Sequence, residues 1–455
     1  MHYCLSYVFS YLDPRAFPKY QLAYSQEVIE QSMVDAMAWT TIVANAVFYY
    51  PIVVFVILKG LKSMSGLTKL VAIFMMLNTP TLTVVDYIKV EFTGPHMGLL
   101  LMAIYCVSAE SFALGAMFLM LSALTNQTAM WYFIPFGAYI LAAGWKKGKS
   151  GHKVLSFVIN FAKVFGACAL TFLLVVSPFM MTKELYNETK QNLLDTKTGK
   201  FLHAAPTFWV FLKQLVTRDD IEQSIHSVIR NPNIIVILIG FVANFFVWKK
   251  TNKHVFLTFI SLFSVCLYLF GYNIFEKDMQ YIFLAMILAP EYFKGFYAGL
   301  FSLSGAMVFP YCCSMKKDLA AELISLAIII SSIFYEWLIK DDDLPPQIEE
   351  AVAKDEKKVL TFSETLYKYF VSAYEYAKGL SGTHMAASLS GMISTYGLYR
   401  NGANHYGYIC TWTGNIEAMM FQIGFLIILA FYFYTWFAVI AATCHQEPKK
   451  KLKVE

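Results

Sequence analysis

Three short groups of charged side chains contain the residue types best suited to chemistry in this sequence. Each group mixes carboxylates with cations: Asp86, Lys89 and Glu91, followed by His96; Glu276, Lys277 and Asp278; and Arg218, Asp219, Asp220, Glu222 and His226. A carboxylate can take the proton from an attacking hydroxyl, and a lysine or arginine can hold a phosphate by charge-assisted hydrogen bonds. Together the groups fit an anionic, sugar-bearing substrate.

The composition indicates that a membrane positions these groups. The 455 residues are 58% hydrophobic and 15% charged, whereas about a quarter of the residues in an ordinary soluble domain are charged. A helix that spans a bilayer needs about 20 mostly apolar residues. Seven runs reach or approach that length: 37–58, 68–85, 154–178, 234–248, 255–272, 319–338 and 416–444.

Five shorter apolar runs are predicted to span if they are tilted or joined by tight turns: 97–109, 111–125, 131–144, 279–290 and 296–313. The fold class predicted from these runs is an all-α, polytopic membrane protein with about eleven to thirteen transmembrane helices. No internal repeat and no Pro- or Gly-rich linker divides the chain. We therefore expect one multi-span membrane domain over residues 1–455, with excursions at 179–232 and 340–380.

Lysines at the ends of the apolar runs predict the orientation, because cytoplasmic loops are enriched in Lys and Arg. Three loops carry such clusters: Lys59, Lys62 and Lys69; Lys146, Lys147, Lys149 and Lys153; and Lys249, Lys250 and Lys253. If these loops are cytoplasmic, segments 86–96, 179–232 and 273–278 lie on the opposite face. All three charged groups then share the non-cytoplasmic side, although charged residues are also common at the ends of ordinary spans.

Two short patterns concern the surroundings of the protein. Asn187-Glu188-Thr189 is an N-glycosylation acceptor pattern, and it falls in the predicted non-cytoplasmic loop 179–232. Lys451 and Lys453 stand five and three residues from the C-terminus. That spacing resembles the dilysine retrieval signal of endoplasmic-reticulum membrane proteins, which a receptor reads on the cytoplasmic side. An ordinary basic flank of a cytoplasmic tail is the alternative.

Several classes of chemistry have no motif in the sequence. P-loop, G-x-S-x-G and H-E-x-x-H patterns are missing, so nucleotide hydrolysis and those hydrolase classes have no support. The eight cysteines show no CxxC pair, and neither a metal site nor a disulfide framework is expected.

Four regions, in order along the chain, resemble the endoplasmic-reticulum α-1,3-glucosyltransferases that use dolichyl-phosphate glucose, members of the multi-span GT-C class. Tyr50-Pro51 looks like the end of a family span. Residues 86–93, followed by Gly98-Leu99, are similar to Asp-His-x-His-Phe-Gln-Tyr-Asn and the Leu-Gly span after it. Residues 126–135 resemble a family segment that begins with Asn and ends in an aromatic pair before Pro. Residues 270–277 resemble Phe-Gly-x-His-Val-His-Glu-Lys, with Lys317-Asp318 after them.

The resemblance implies an endoplasmic-reticulum enzyme that moves glucose from dolichyl-phosphate glucose to a dolichol-linked oligosaccharide, with no other cofactor. It implies Asp86, Glu91 and Glu276 as catalytic carboxylates. It implies that Lys277, Arg218 and Lys89 bind the phosphate. The first α-1,3-glucose is favoured, because Lys317-Asp318 fits that enzyme's pattern better, and the second remains possible.

The sequence departs from the family pattern at its histidines. Tyr87, Lys89, Asn273 and Phe275 stand where the family has histidine. The class usually places its catalytic carboxylate in a first luminal loop, and the resemblance implies that this chain is short at that end. A catalytically inactive relative that binds the lipid-linked substrate or a partner is therefore the alternative. A transporter ranks last, because no internal repeat supports it.

Overall fold

The computed structural model describes helices and the turns between them. It describes residues 39–79, 82, 93–147, 153–177, 207–208, 234–271, 274, 276–293, 296–297, 299–301, 303–304, 318–341 and 410–444. Within these ranges the chain forms helices joined by turns, and no β-strand occurs. The all-α fold class predicted from the sequence is thus confirmed.

Eleven helices are labelled here in chain order. They are α1 (Trp39–Gly60), α2 (Gly66–Leu77), α3 (Thr93–Ser108), α4 (Phe112–Thr125), α5 (Phe133–Lys147), α6 (Lys153–Val176), α7 (Ile234–Lys249), α8 (Lys253–Phe270), α9 (Gln280–Met286), α10 (Asp318–Asp341) and α11 (Cys410–Cys444). Three short 3₁₀ helices connect them, at Gln127–Tyr132, Glu276–Met279 and Pro290–Tyr292.

Among the described residues, four helices contain stretches long and apolar enough to cross a membrane. These stretches are Trp39–Gly60, Val154–Val176, Lys253–Phe270 and Gly424–Thr443. Shorter apolar helices coincide with most of the other predicted runs, including α2, α3, α4 and α7. The chain is therefore a polytopic membrane protein, and the count of eleven to thirteen spans stays a prediction.

Helix α8 is the centre of the bundle. It packs against α3, α5, α7, α9 and α11, and 83% of its apolar window is buried inside the protein. Apolar side chains lie on all its sides, so it has no polar face to turn to water. Asn252 caps its first turn by accepting a hydrogen bond from the Val255 N–H at 2.8 Å.

Helix α6 lies at the edge of the described bundle. Only 6% of its apolar window is buried. It contacts α4 and α5 on one side and exposes large apolar side chains on the other, among them Leu155, Phe161, Phe165, Leu173 and Leu174. A continuous apolar surface of this kind is stable against lipid and unfavourable in water.

Helices α1 and α3 approach closely where α1 contains a π-helical turn at Asn45–Tyr49. Gly94 and Gly98 lie four residues apart on the facing side of α3, in the small-xxx-small arrangement that lets helix backbones meet. A Cβ at Gly98 would lie 3.0 Å from the Phe48 carbonyl oxygen and 3.1 Å from the Tyr49 Cα. The Tyr49 hydroxyl also donates a 2.6 Å hydrogen bond to the Met76 carbonyl, which ties α1 to α2.

The predicted run 279–290 is not one continuous helix. Helix α9 covers only Gln280–Met286, which at 1.5 Å per residue is about 10 Å long. Pro290 explains the end of the helix, because a proline disfavours the α conformation in the residue before it. Ala289 accordingly adopts φ −132° and ψ 54°. Similarly, α2 ends at Leu77, eight residues before the end of the predicted run 68–85.

We expect Gly98→Leu to destabilise the protein, because the new side chain would meet the backbone of α1. Overpacking at a rigid contact costs about 1–3 kcal/mol. The control is Gly137→Leu, since a Cβ at Gly137 has nothing within 4 Å. Thermal unfolding of both purified variants in detergent tests this, and equal melting temperatures would contradict the close approach of α1 and α3.

Candidate functional site

Polar side chains gather where α8 ends and α9 begins. Gly271 follows α8, and its N–H donates to the Leu267 carbonyl at 2.8 Å. The 3₁₀ helix Glu276–Met279 then leads directly into α9. Within this connection Asp278 is 3% exposed and Gln280 is 4% exposed, so charged and amide groups are held inside the protein.

His96 lies inside the bundle, in the first turn of α3. It is 1% exposed and helical, so the predicted position in the short non-cytoplasmic loop 86–96 is wrong. Pro95 accounts for the earlier start of the helix, because proline fits the first helical turn, where its missing N–H is not needed. The His96 Nε2 atom is hydrogen-bonded to the Tyr281 hydroxyl at 2.9 Å, across 185 residues of sequence.

Asn126 fixes the tautomer of a neutral His96 ring. Its Oδ1 accepts the Thr128 N–H at 2.9 Å, which fixes the orientation of the carboxamide. The Nδ2 group is then directed at His96 Nε2, 3.2 Å away. Because Nδ2 can only donate, Nε2 is an acceptor, and a neutral His96 has its proton on Nδ1. The Ser122 hydroxyl donates to the His96 carbonyl at 2.9 Å and anchors the same turn.

Two tyrosines join this arrangement to the centre of the bundle. The rings of Tyr132 and Tyr281 stack with centroids 5.5 Å apart. Ser264 on α8 donates its hydroxyl to the Ile260 carbonyl at 2.8 Å. The Tyr132 hydroxyl, 2.7 Å from Ser264 Oγ, is therefore the donor in that pair. Both phenols are fully buried, and Asp278 interacts electrostatically with each of them.

We call His96, Asn126, Tyr132, Ser264, Asp278 and Tyr281 the polar cluster. It combines an imidazole, a carboxylate and two phenols in a low-dielectric setting, where hydrogen bonds are strong and costly to leave unmade. Such a cluster can orient hydroxyl and phosphate groups that enter beside it. The described residues contain no group of three His, Cys, Asp or Glu side chains placed to hold a metal ion.

Two of the sequence-predicted site residues lie in the same segment as the polar cluster. Glu276 and Lys277 belong to the 3₁₀ helix that ends at Met279, directly beside Asp278. The other predicted positions lie outside the described residues: Asp86, Glu91, Lys89, Arg218, Asn187, Lys451 and Lys453. Their roles stay predictions.

Sequence reasoning assigned no role to Tyr281, Ser264 or Asn126. Tyr281 and Ser264 stand in apolar runs and look like packing residues. Asn126 stands out in the sequence only as part of a motif. His96 stands out by its residue type, and the Gly94-Pro95 pair before it is the signal that a helix begins there.

A different polar pair lies at the opposite end of α8. His254 Nδ1 is 2.8 Å from Glu291 Oε1, and both side chains are partly exposed. Ten residues of helix separate His254 from Ser264, which is about 15 Å along the axis. This pair follows Lys249, Lys250 and Lys253, so it belongs to the face predicted to be cytoplasmic.

The fold and site define a class: a polytopic helical membrane protein with a buried polar cluster at one end of its central helix. Comparison with known proteins identifies the family. A sequence model of the ALG6, ALG8 glycosyltransferase family matches residues 1–380. The chain belongs to this family, and the resemblance drawn from its motifs is confirmed.

Several curated relatives are similar to this chain, at low identity. A dolichyl pyrophosphate Man9GlcNAc2 alpha-1,3-glucosyltransferase of Gallus gallus is 24% identical over 40% of this chain and 34% of its own length. A probable enzyme of that name from Dictyostelium discoideum is 21% identical, over 62% of this chain and 55% of its own. The Pongo abelii relative is 21% identical over 73% of this chain. The matches span 34% to 62% of these relatives' own lengths.

Two members of the polar cluster lie in a family-like region of the sequence, and three others lie close beside such regions. Asn126 and Tyr132 come from region 126–135, and Asp278 and Tyr281 directly follow region 270–277. His96 lies between residues 86–93 and Gly98. One family-like segment and residues that lie beside two others thus meet at one end of the bundle.

A double-mutant cycle tests the central contact of the cluster. We expect His96→Leu and Tyr281→Phe to be coupled by roughly 0.5–3 kcal/mol, because each removes one partner of the same buried hydrogen bond. The measurement is the free energy of unfolding by SDS titration in mixed micelles. His96→Leu paired with Tyr434→Phe is the control, since the Tyr434 hydroxyl donates to the Tyr292 carbonyl near the opposite end. Additive effects in the first pair would refute the contact.

Proposed function

We propose that this chain is a glucosyltransferase that moves glucose from dolichyl-phosphate glucose to the dolichol-linked Man9GlcNAc2 oligosaccharide, in α-1,3 linkage. The observation that carries the proposal is the polar cluster, which joins family-like segment 126–135 to residues that lie beside two other family-like segments. The names of the relatives support the acceptor, since they specify an oligosaccharide without glucose. Addition of the first glucose is favoured on that ground, and addition of the second is the closest alternative.

The proposed reaction is a single inverting displacement. The acceptor hydroxyl attacks the anomeric carbon of glucose, a new glycosidic bond forms, and the bond to the phosphate oxygen breaks. Dolichyl phosphate leaves with the bonding electrons, and a carboxylate takes the proton of the hydroxyl. The proposal needs no cofactor beyond the lipid donor.

The charged residues of the site divide into two roles in this proposal. Asp86, Glu91 and Glu276 are the candidate bases. Lys277, Arg218 and Lys89 would balance the charge that develops on the departing phosphate. The roles of Glu276 and Lys277 are supported by their position in the 3₁₀ helix that contains the buried Asp278, and the other roles rest on the family resemblance.

The polar cluster would act on this site through the backbone. Tyr281 lies one helical turn after Asp278, so its hydrogen bond to His96 fixes the start of α9 against α3. The Glu276–Met279 segment leads straight into that turn. A fixed connection keeps the catalytic carboxylate and the phosphate-binding lysine in place, which is where much of the rate enhancement in transfer reactions arises.

We place the protein in the endoplasmic-reticulum membrane, with the active surface in the lumen and the C-terminus in the cytoplasm. The three lysine-rich loops support this orientation. Asn187 in the luminal loop would be a glycan acceptor, and Lys451 and Lys453 would return the protein from later compartments.

A catalytically inactive relative is the second candidate, favoured by the four positions where histidine is replaced. Such a protein would bind the lipid-linked oligosaccharide or a partner subunit without transferring glucose. The two candidates differ in one measurable respect, the composition of the lipid-linked oligosaccharide in cells.

We expect this chain to convert unglucosylated lipid-linked oligosaccharide to the monoglucosylated form in cells that lack the first-glucose enzyme. Asp86→Ala and Lys277→Ala should each reduce conversion by about 100-fold or more, because they remove a charge used in the transition state. Glu110→Gln is the control, since Glu110 lies in the turn between α3 and α4 at the far end of α3. Full activity of both alanine variants would contradict the site, and an unchanged profile with the wild type would favour the inactive relative.

The orientation is tested at two positions on opposite faces. We expect Asn187 to carry a glycan that endoglycosidase H removes, and Asn187→Gln to abolish the resulting shift in gel mobility. Replacing Lys451 and Lys453 with serine should move the protein to later compartments. An epitope at the C-terminus that is accessible only after the membrane is fully permeabilised would contradict the cytoplasmic tail.

A further inference from the structure

Asn45 is a fully buried amide without a hydrogen-bond partner for its side chain. It is 0% exposed, and neither Nδ2 nor Oδ1 has a partner within the part of the chain that the structure describes. Buried polar atoms are almost always paired, and each exception calls for an explanation. An unpaired amide inside a membrane bundle is unfavourable, since neither lipid nor apolar side chains can hydrogen-bond to it.

The location of Asn45 connects it to the polar cluster. It begins the π-helical turn of α1, a distortion that is frequently found at functional sites. Its carboxamide occupies the space above Gly94, where a Cβ would collide with it. Gly94 lies in the first turn of α3, two residues before His96. Asn45 therefore faces the N-terminal end of a 16-residue helix, beside the turn that holds the cluster.

The two unpaired atoms define the chemistry of a suitable ligand. Nδ2 needs an acceptor, and Oδ1 needs a donor. A fully ionised phosphate can satisfy only Nδ2, and it would be repelled by Oδ1 even though the helix N-terminus favours anions. A hydroxyl group both donates and accepts, and neighbouring hydroxyls of a sugar ring can satisfy both atoms together.

We propose that Asn45 binds sugar hydroxyls of a substrate, through Oδ1 and Nδ2, at the first turn of α3. The proposal rests on the proposed function. It adds a neutral substrate-binding side chain to the charged residues already assigned to the site. The sugar is either the glucose of the donor or a mannose of the acceptor, and these present the same hydroxyl chemistry.

The deciding variant is Asn45→Leu, which keeps the approximate volume of the side chain and removes both polar atoms. If Asn45 is only structural, the variant relieves an unpaired amide, so the protein should be at least as stable and fully active. If Asn45 binds sugar, stability should rise or stay constant while kcat/KM falls roughly 10- to 100-fold, the loss expected for one or two neutral hydrogen bonds. Opposite changes in stability and activity separate the two roles.

Asn244→Leu is the matched control. Asn244 lies in α7, and its Oδ1 is likewise buried without a partner in the described residues. None of the contacts described for the polar cluster involves Asn244, so its replacement should leave kcat/KM and substrate binding at the level of the wild type. A parallel loss in both variants would mean a general effect of the substitution on the membrane bundle.

Substrate analogues identify the sugar. Full-length wild type and Asn45→Leu are reconstituted in nanodiscs, and the Kd and turnover are measured with short-chain dolichyl-phosphate glucose, its monodeoxy analogues, and monodeoxy versions of the oligosaccharide acceptor. Where Asn45 holds a hydroxyl, removal of that hydroxyl should weaken binding to the wild type about 10-fold and leave binding to Asn45→Leu unchanged. If a donor analogue binds more weakly to the wild type but not to Asn45→Leu, Asn45 holds the glucose of the donor. If an acceptor analogue shows this behaviour, Asn45 holds a mannose of the acceptor.

The outcomes distinguish this inference from the proposed function. Normal turnover and binding of every analogue by Asn45→Leu would overturn the inference alone. Binding that depends on Asn45, without glucose transfer by the wild type, would support the inference and overturn the proposed activity. A folded wild type that binds neither substrate would overturn both.

Discussion

The enclosure of α8 is the constraint on which the rest of the bundle depends. Its apolar window is 83% buried, and five other helices pack around it. A helix that is apolar on every side is stable only when protein or lipid surrounds it. Helix α8 takes the centre, and α6 lies at the edge with its apolar face available to lipid.

Polar contacts at one end of α8 then organise three distant segments. Ser264 presents its hydroxyl to Tyr132, Tyr132 stacks on Tyr281, and Tyr281 reaches His96. Each of these groups is buried, so an unmade hydrogen bond would cost about 1–3 kcal/mol. The network therefore favours one arrangement of α3, the 126–132 turn and α9. Asp278 interacts electrostatically with both phenols of this network.

Apolar run length predicted most of this architecture, because a bilayer requires a minimum length of apolar helix. The stretches 37–58, 154–178 and 255–272 are helices nearly to the residue. Local backbone effects explain where the observed helix ends differ from the predicted runs: Pro290 ends α9 early, and Pro95 starts α3 before His96. The family was predictable because its motifs survive in order. The sequence does not predict the hydrogen bond between His96 and Tyr281 or the unpaired amide of Asn45. Both depend on how the helices pack, and no local sequence pattern encodes that packing.

The central claim is that the end of α8 beside the polar cluster receives the sugar donor. A cryo-EM structure of the full chain in nanodiscs with dolichyl-phosphate glucose tests it most directly. The account predicts density for glucose and phosphate between the first turn of α3 and the Glu276–Tyr281 segment, with the dolichyl chain leading into the membrane. Density for the donor headgroup at the opposite end, near His254 and Glu291, would contradict it.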